Sequence, residues 1–336
     1  MILVTGATSG LGRNAAHLLA QSGARVRATG RDVVQGAALK RAGIPFEPVD
    51  LACADDASLS RLLDGVHTVW HCAALSSPWG RARAFDAANV RATQRLAQAA
   101  ALQGVRRFVH ISTPSIYFDY SHRHQVPETH RAQHLVNHYA ASKWRAEEVI
   151  RGLARRHAAT TFVMLRPRGL FGPHDRVVLP RILQVMGARG GRLPLPRGGQ
   201  ARIDLTYVEN VVHAMRCATT AAVPSGSVYN ITNQEPSSLA EVLGHLLRDE
   251  LGLPLRIQAL PYGLMDAAAR VQEACARVTR REPMLTRYGV GALQFDMTLC
   301  QQRALDELGY RPVHDMADGI RRTARWWREH GAHHGL

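Results

Sequence analysis

The sequence predicts an α/β protein with a doubly wound parallel sheet and a smaller C-terminal lobe. Up to residue 167, short apolar segments alternate with helical ones. This alternation is the pattern of a parallel sheet covered by helices on both faces. After residue 167 the alternation loosens, and glycine and proline crowd residues 187–199. We therefore expect a large domain of alternating strands and helices, joined to an irregular lobe.

Each predicted strand is a short run of mostly apolar residues. The six runs are Ile2–Val4, Arg25–Thr29, Phe46–Val49, Val66–His71, Arg107–Ile111 and Thr161–Leu165. An alanine- and leucine-rich helix follows the first strand to about Gln21, and a longer helix covers about 81–102. The residues of chemical interest follow the strands, at the edge where ligands bind in sheets of this kind.

The domain boundaries follow from the same pattern. Residues 1–168 are predicted to form the sheet domain, to which residues 204–232 return. Residues 169–203 and 233–336 are predicted to form a lobe that caps a substrate site. A chain of 336 residues has room for both parts with an ample core.

A glycine-rich run lies between the first strand and the first helix: Thr5-Gly6-Ala7-Thr8-Ser9-Gly10-Leu11-Gly12. This strand–turn–helix context is typical of a dinucleotide-binding site. Gly6 permits a tight turn, Gly10 lets backbone N–H groups approach a pyrophosphate, and Gly12 lets the helix pack closely on the strand. The sequence therefore predicts a phosphate site at the N-terminus of the first helix.

A tyrosine and a lysine stand four residues apart at Tyr139 and Lys143. Of the 42 basic residues only two are lysine, Lys40 and Lys143. On a helix this spacing puts both side chains on one face. A neighbouring ammonium favours the phenolate and would lower the pKa of Tyr139 towards a working value. We expect the pair to perform acid/base chemistry.

Composition argues against several other classes of protein. The formal net charge is +15, but the basic residues are dispersed and no recognised nucleic-acid motif is present, so no nucleic-acid partner is expected. No run of 18 apolar residues occurs, so no transmembrane segment is expected, and the N-terminal strand leaves no room for a signal peptide. Five scattered cysteines indicate reduced thiols and a cytoplasmic location. No metal site is predicted, because the histidines lack cysteine or carboxylate partners at ligand spacing.

With Thr113 added to the glycine run and the tyrosine–lysine pair, the chain resembles the extended form of the short-chain dehydrogenase/reductase superfamily, which has a Rossmann fold. Within it the chain resembles the 3β-hydroxysteroid dehydrogenase-like branch. That branch includes reductases of long-chain 2-alkyl-3-oxo acids, relatives of dihydroflavonol reductase and sterol dehydrogenases. The stretches that carry the resemblance are Ala73–Gly80, Ser112–Ser115, Leu165–Pro173 and Asp204–Asn210. One departure is Ser9, which stands where extended members usually have glycine.

The resemblance implies catalytic roles by position. Tyr139 would be the acid/base, and Lys143 would lower its pKa and hydrogen-bond the nicotinamide ribose. Thr113 would hydrogen-bond the reacting carbonyl, a role for which Ser112 and Ser115 compete on sequence alone. Asn89 would support the active-site helix and a proton relay, or it would be a helical surface amide.

The cofactor is expected to lie along the strand ends. The residues predicted to bind it are Gly6, Thr8, Ser9, Gly10, Leu11, Gly12, Arg31, Asp50, Leu51, Ala73, Ala74, Ser112, Tyr139, Lys143, Pro167 and Leu170. Gly30 stands where NAD enzymes of this type carry an acid, and Arg31 follows it. An arginine there accommodates the 2′-phosphate of NADP. NADP(H) is therefore favoured, with NAD(H) possible because Asp32 is adjacent.

The expected activity is hydride transfer between NADP(H) and a ketone or secondary alcohol on a hydrophobic substrate. An NAD(P)-dependent dehydrogenase or reductase of this kind acts on CH–OH groups, and the resemblance also implies a homodimer. The predicted substrate pocket is apolar and aromatic. Its residues are Leu75, Trp79, Ser115, Tyr117 and Phe171.

Two other functions share the tyrosine–lysine pair or the fold. The first is a nucleotide-sugar epimerase or dehydratase. However, Pro114 and Ser115 stand where dehydratases have an Asp-Glu pair, and Gly169 stands where sugar-nucleotide enzymes have asparagine. The second is a non-catalytic dinucleotide sensor, a class that usually loses the tyrosine or the lysine.

Overall fold

A computed structural model describes residues 1–175 and 178–331. Its strands are β1 (Ile2–Thr5), β2 (Val26–Gly30), β3 (Phe46–Pro48), β4 (Thr68–His71), β5 (Arg107–Ile111), β6 (Arg123–Val126), β7 (Thr161–Pro167), β8 (Leu170–Phe171), β9 (Arg192–Pro196), β10 (Arg202–Ile203), β11 (Thr206–Tyr207), β12 (Ser227–Ile231), β13 (Ser237–Ser238), β14 (Arg256–Leu260) and β15 (Met297–Leu299).

The α-helices are α1 (Gly10–Gln21), α2 (Val33–Arg41), α3 (Asp56–Leu63), α4 (Ala82–Phe85), α5 (Ala92–Leu102), α6 (His138–Arg156), α7 (Val178–Gly187), α8 (Val208–Thr220), α9 (Leu239–Leu243), α10 (Tyr262–Thr279), α11 (Arg287–Gln294), α12 (Gln302–Leu308) and α13 (Met316–His330). Two π-helical segments cover Asp86–Arg91 and Gly244–Glu250, and short 3₁₀ turns cover Pro114–Tyr117 and Arg197–Gly199.

Seven parallel strands form the main sheet in the order β12-β7-β5-β4-β1-β2-β3. The predicted fold class is confirmed, and the six predicted strands match β1 to β5 and β7 to within two residues at each end. The strand order reverses at β1, which lies between β2 and β4. Ligands of doubly wound sheets bind outside the carboxyl ends of the strands at such a reversal.

Helices cover both faces of this sheet because each presents an apolar stripe to it. On one face Ala15 and Leu19 of α1 pack with Val211 and Met215 of α8. The opposite face is covered by α3, α5 and α6, whose buried residues include Leu62, Leu96 and Ile150. The sheet is thus the central layer of three.

The second core lies in the C-terminal half. It contains Leu193 and Leu195 of β9, Leu246 and Leu247 of the second π-helical segment, and the apolar stripe of α13. That stripe ends at Trp327, which is 1% exposed. The long C-terminal helix therefore packs its apolar face against protein. No helix in the described ranges has the length and apolar character needed to cross a membrane.

The chain passes more than once between the sheet domain and the C-terminal lobe. Strand β12 lies beside β7 in the main sheet, and β6 pairs with β15 outside that sheet. Ala304, Leu308 and Tyr310, within the segment predicted to belong to the lobe, pack in the main core. The boundaries predicted at 168 and 232 therefore do not separate the two cores, because residues assigned to the lobe also pack in the main core.

A buried ion pair joins α6 to β7. Arg166 and Glu147 are both fully buried, and Arg166 donates two hydrogen bonds to the carboxylate, from Nε at 2.7 Å and from Nη2 at 2.5 Å. Ser112 donates to the same carboxylate at 2.5 Å, and Arg166 also donates to Tyr117 Oη and the Glu128 carbonyl. Burial raises the pKa of Glu147, but Arg166 and Ser112 outweigh it and hold that pKa below 4.5.

We expect Glu147→Gln to lower the free energy of unfolding by about 3–5 kcal/mol, because it leaves the buried Arg166 cation without its counter-charge. Urea unfolding followed by circular dichroism measures the change. The matched control is Arg151→Gln, which removes the partly exposed second partner of the same carboxylate and should cost less than about 1 kcal/mol. Equal effects of the two variants would contradict this assignment.

Candidate active site

The turn after β1 is shaped by two glycines that have no space for a side chain. Gly6 has φ +65°, and a Cβ there would lie 2.8 Å from Ala73 Cα. A Cβ on Gly12 would lie 2.3 Å from the Gly6 carbonyl oxygen. Ala73 N–H donates to Thr5 Oγ1 at 3.1 Å. The turn, the start of α1 and the end of β4 are therefore in direct contact, as expected for a phosphate-binding turn.

The N-terminus of α1 is only partly occupied by protein groups. The Gly10 N–H donates to the His174 carbonyl at 3.2 Å. Ser9 is the N-cap but its side chain makes no capping hydrogen bond. The N–H groups of Leu11 and Gly12 stand in the first turn, where no helical acceptor is available. These two groups, rather than that of Gly10, are available to a phosphate.

The two residues after β2, Arg31 and Asp32, differ in exposure and in hydrogen bonding. Arg31 is exposed, whereas the Asp32 carboxylate accepts the Gln35 N–H at 3.0 Å and caps α2. Gly30 packs on Thr8, whose Cγ2 lies 2.8 Å from where a Cβ would be. The end of β2 therefore contacts the glycine turn, and Arg31 is the exposed residue of the two.

The remaining residues predicted to bind cofactor occupy several strand ends. Asp50 is exposed after β3, and Leu51 is buried beneath it. Pro167 ends β7, and Leu170 begins β8. Ala74 follows Ala73 after β4.

Ser112, which is predicted to bind the cofactor, has its side chain bonded inside the protein. Its hydroxyl donates to Glu147, because the side chain points into the buried ion pair. Only its backbone remains at the strand edge.

Hydroxyl groups from four segments meet beyond β5. Thr113 Oγ1 lies 3.0 Å from Ser115 Oγ, and Ser115 Oγ lies 2.7 Å from Tyr288 Oη of α11. Tyr139 lies near Thr113 and Ser76, since both side chains act to lower its pKa. Thr113 also accepts the Ser115 N–H at 3.2 Å and so caps the 3₁₀ turn. The predicted acid/base and the predicted carbonyl donor therefore lie together.

The pKa of Tyr139 moves in the direction opposite to the sequence expectation. Burial raises it above 10, and hydrogen bonding to Ser76 and Thr113 offsets part of the rise. Lys143 is not among the groups that shift the pKa of Tyr139, and Lys143 Nζ has other partners. It donates to the Ile111 carbonyl at 2.5 Å and to His110 Nε2 at 3.3 Å.

Lys143 is a buried cation, 2% exposed. Burial lowers its pKa from 10.5 to about 8, although Glu147 and Cys72 act in the opposite direction. Burial also lowers the pKa of His110 and brings that of His71 to about 3. His110 is therefore neutral near pH 7, and its Nε2 can accept a hydrogen bond from the ammonium. The Lys143 ammonium therefore bonds two neutral acceptors, the Ile111 carbonyl and the His110 ring.

Asn89 lies in the π-helical segment between α4 and α5 and is 1% exposed. Its Nδ2 donates to Ser142 Oγ at 2.9 Å and to the Leu75 carbonyl at 3.1 Å, and its Oδ1 accepts the Leu75 N–H at 2.7 Å. Ser142 stands between Tyr139 and Lys143 on α6. Asn89 thus joins the active-site helix to the loop after β4 and is not a surface amide.

The five residues predicted to line the pocket do not all share one surface. Leu75 is fixed by Asn89, Ser115 contacts Thr113, and Trp79 N–H donates to Ser77 Oγ in the same loop. Tyr117 is instead fully buried, with its hydroxyl between Arg166 and Asn230. Phe171 packs on Tyr207, with ring centroids 5.6 Å apart. Tyr117 therefore belongs to the core beneath the site.

Comparison with known proteins identifies the family. The model of the NAD dependent epimerase/dehydratase family matches residues 2–232. The chain belongs to this family. It is 48% identical over 333 residues, 98% of both chains, to the uncharacterized protein YbjS of Escherichia coli. It is 31% identical over 345 residues to the 2-alkyl-3-oxoalkanoate reductase of Stenotrophomonas maltophilia, covering 96% of this chain and 97% of that protein.

Two further similarities agree with the family. The chain is 33% identical over 285 residues to 3beta-hydroxysteroid-dehydrogenase/decarboxylase isoform 2 of Arabidopsis thaliana, covering 80% of this chain and 50% of that protein. A UDP-glucuronic acid 4-epimerase from Bacillus cereus, solved with NAD, shares the fold with a TM-score of 0.74 and 21% identity over 98% of both chains. The resemblance to extended short-chain dehydrogenases/reductases of the 3β-hydroxysteroid dehydrogenase-like branch is confirmed. The predicted enzyme class, acting on CH–OH groups, is also confirmed.

The geometry fits the dinucleotide that the family name implies. The cradle at Gly6 and Gly12, which a Cβ would fill, lies at the carboxyl end of β1. Leu11 and Gly12 offer backbone N–H groups to a pyrophosphate. Within the described part of the chain, no group of three or more His, Cys, Asp or Glu side chains could hold a metal ion.

Sequence reasoning missed three residues of this family member's site. Ser76 lies in the loop predicted as a pocket wall but carried no signal of its own. Tyr288 reaches the site from α11, about 150 residues after Tyr139 along the chain, so no local pattern could have found it. His110 is the fourth of the five residues of β5, a mostly apolar strand in which a histidine is read as core.

We expect the Lys143 side chain to titrate with a midpoint near pH 8, because burial disfavours the ammonium. The chain has only two lysines, so isotope labelling of lysine gives two side-chain NMR signals. Lys40→Arg identifies which signal belongs to Lys143. A midpoint at or above 10.5 would show that the ammonium is better solvated than the structure indicates.

Proposed function

We propose that this protein catalyses reversible hydride transfer between NADP(H) and a ketone or secondary alcohol on a hydrophobic substrate. The observation that carries the proposal is the meeting of the Tyr139, Thr113 and Ser76 hydroxyls at the carboxyl edge of the sheet. Two of these groups can hold one developing alkoxide while Tyr139 supplies a proton. The family and the names of the relatives agree with this chemistry.

The nicotinamide supplies the hydride when it is bound, and the protein supplies orientation and a proton. Tyr139 Oη donates its proton to the substrate oxygen in reduction and takes it back in oxidation. Thr113 Oγ1 donates a hydrogen bond to the same oxygen. Lys143, one helical turn after Tyr139, would hydrogen-bond the nicotinamide ribose, as the resemblance implies. Asn89 keeps α6 in register with the loop that carries Ser76.

The preference for NADP(H) is part of the proposal. Arg31 is exposed at the end of β2, where the adenosine ribose lies in sheets of this type. Asp32 is already engaged as the cap of α2. An arginine with a free guanidinium accommodates a 2′-phosphate, whereas a committed carboxylate is less able to bind a ribose hydroxyl.

Three observations favour a hydrophobic carbonyl substrate over a sugar nucleotide. A Cβ on Gly169 would lie 3.0 Å from the Asp204 carbonyl oxygen and 2.6 Å from Leu205 Cδ2, so this backbone leaves no room for an asparagine. Pro114 and Ser115 begin the 3₁₀ turn capped by Thr113 and offer no carboxylate for dehydration. The loop wall at Leu75 and Trp79 is apolar. A homodimer in the cytoplasm completes the proposal, and analytical ultracentrifugation tests the dimer.

We expect Tyr139→Phe to lower kcat by a factor of about 10²–10⁴, because the proton donor is removed. The NADPH dissociation constant should change less than about threefold. The assay follows NADPH absorbance with 3-oxoacyl thioesters, steroid ketones, aromatic ketones and UDP-sugars side by side. Tyr229→Phe is the control, since its hydroxyl bonds Glu307 away from the site.

Three results of that assay would count against the proposal. Turnover of Tyr139→Phe at the wild-type rate rejects the proton donor. Conversion of a UDP-sugar, with no NADPH consumed by any ketone, favours the epimerase. Tight NADPH binding without turnover of any compound favours a sensor.

We expect Arg31→Ala to raise the KM for NADPH by about 10–100-fold and to leave the KM for NADH within about threefold, because only NADPH carries the 2′-phosphate. Arg41→Ala, an exposed arginine at the other end of α2, is the matched control. If the ratio of the two KM values stays the same in Arg31→Ala, the cofactor assignment is wrong.

A further inference from the structure

Helix α10 carries apolar residues on two opposite sides. On its inner side Met265 and Ala269 are buried and pack with Val290 of α11. On its outer side, apolar residues three, four and seven positions apart form what we call the α10 stripe: Leu264, Ala267, Ala268, Val271, Ala274, Cys275 and Val278. Every residue of the α10 stripe is exposed, whereas a surface helix ordinarily presents polar residues to solvent.

The large side chains of the α10 stripe are mostly uncovered. Leu264, Val271 and Val278 are 61%, 64% and 83% exposed, and they stand seven residues apart on one face of the helix. At 1.5 Å per residue the α10 stripe is about 21 Å long. Because small apolar residues fill the positions between the large ones, the surface is continuous. A continuous exposed apolar surface indicates an interaction site, whereas single exposed residues do not.

Arginines lie beside the α10 stripe and at its end. Arg270 and Arg277 follow one edge of the stripe, also seven residues apart, and Arg280 and Arg281 come directly after the helix. All four are exposed. Arg270 donates to Asp266 at 2.7 Å, but the other three form no ion pair with any residue that the structure describes.

The acids of α10 do not neutralise these arginines, because they are bonded to α11. Asp266 Oδ1 accepts from Arg287 Nε at 3.1 Å, and Glu273 Oε1 accepts the Arg287 backbone N–H at 2.8 Å. Asp266 is also buried. The surface around the α10 stripe is therefore basic, and it is complementary to an anionic partner.

The α10 stripe belongs to an element that packs on the proposed active site. Glu282, just after α10, has its Oε1 3.4 Å from Ser77 Oγ in the loop after β4. Arg181 of α7 donates to two backbone carbonyls of the same segment. Helix α11, on which α10 packs, carries Tyr288 to Ser115. A partner on the α10 stripe would therefore contact the part of the molecule that surrounds the site.

A second copy of this chain fits the α10 stripe less well than a lipid surface does. In an antiparallel pair of α10 helices related by a twofold axis, the same edge of each helix faces its counterpart. Arg270 and Arg277 of both copies would then lie along one edge, where like charges repel. An anionic bilayer meets the same arginines with opposite charge, and it receives an apolar stripe without needing a complementary groove.

We propose that the α10 stripe docks this protein on the surface of an anionic lipid bilayer. Leu264, Val271 and Val278 enter the boundary between headgroups and acyl chains, and the neighbouring arginines lie at the level of the lipid phosphates. Docking of this kind places the protein where hydrophobic molecules collect. The surface lies outside the hydride-transfer site, so the measurements below do not depend on the reaction proposed above.

The first test is sedimentation of the full chain with sucrose-loaded vesicles. The wild type should bind vesicles of phosphatidylglycerol and phosphatidylcholine at least about 10-fold more tightly than vesicles of phosphatidylcholine alone, and added salt should weaken the binding. The triple variant Leu264→Ser, Val271→Ser, Val278→Ser should bind the anionic vesicles at least about 10-fold more weakly, because the apolar side chains are lost. The control Leu102→Ser, Val313→Ser replaces exposed apolar residues elsewhere and should bind like the wild type.

The second test removes charge instead of apolar surface. Arg277→Gln with Arg281→Gln should weaken binding to the anionic vesicles about 10–30-fold at low salt and should make binding less dependent on salt. The matched control is Arg155→Gln with Arg156→Gln, a pair of exposed arginines at the end of α6. That pair should change the binding less than about threefold, since it lies away from the α10 stripe. Circular dichroism checks that each variant folds.

The third test uses Cys275, which is part of the α10 stripe. Cys53 and Cys275 are both exposed, and the other three cysteines are less so. A polarity-sensitive fluorophore on Cys275, in a chain with Cys53→Ser, should shift its emission to shorter wavelength on anionic vesicles. The same fluorophore on Cys53, in a chain with Cys275→Ser, should not shift.

Four outcomes overturn the inference. They are no sedimentation of the wild type with anionic vesicles, equal binding to anionic and neutral vesicles, equal weakening by the triple variant and its control, and an emission shift from Cys53 without one from Cys275. Analytical ultracentrifugation identifies the other occupant. If the wild type forms a dimer that the triple variant does not form, and neither binds vesicles, the α10 stripe is an interface between two copies.

Discussion

The ion pair between Glu147 and Arg166 holds together the elements that form the site. Glu147 stands one turn after Lys143 on α6, and Arg166 stands at the end of β7. The same carboxylate accepts from Ser112 at the end of β5, next to Thr113. Three elements that share no local sequence are therefore fixed by one carboxylate. Because both charges are fully buried, neither can leave its place without a large loss of stability.

Lys143 shows how the protein tolerates a second buried cation a few residues away. Its ammonium is not paired with a carboxylate but bonds a backbone carbonyl and the neutral ring of His110. The lowered pKa of Lys143 shows that burial makes the ammonium less stable than it is in water. Arg166 is therefore a buried cation paired with a carboxylate, whereas Lys143 is a buried cation that bonds neutral acceptors.

Local patterns predicted the sheet well, since strand periodicity, the glycine turn and the end of α1 at Gln21 depend on neighbours in sequence. The tyrosine–lysine helix was found for the same reason. Burial and partners were not predicted, because they depend on which distant segments meet. Tyr117 was expected in the pocket but bonds Arg166. The pKa of Tyr139 was expected to fall but is raised by burial, because spacing on a helix does not reveal where an ammonium points.

The glycine turn and the start of α1 are hydrogen-bonded to the segment after β8. Gly10 N–H donates to the His174 carbonyl, and Asn14 Nδ2 bonds the carbonyls of Gly10 and Pro173 at 2.9 Å and 2.8 Å. Two of these bonds, from Gly10 N–H and Asn14 Nδ2, join the start of α1 to the segment after β8. A displacement of that segment would therefore strain the backbone that forms the phosphate site. We expect the binding of dinucleotide and of substrate to be coupled through this contact.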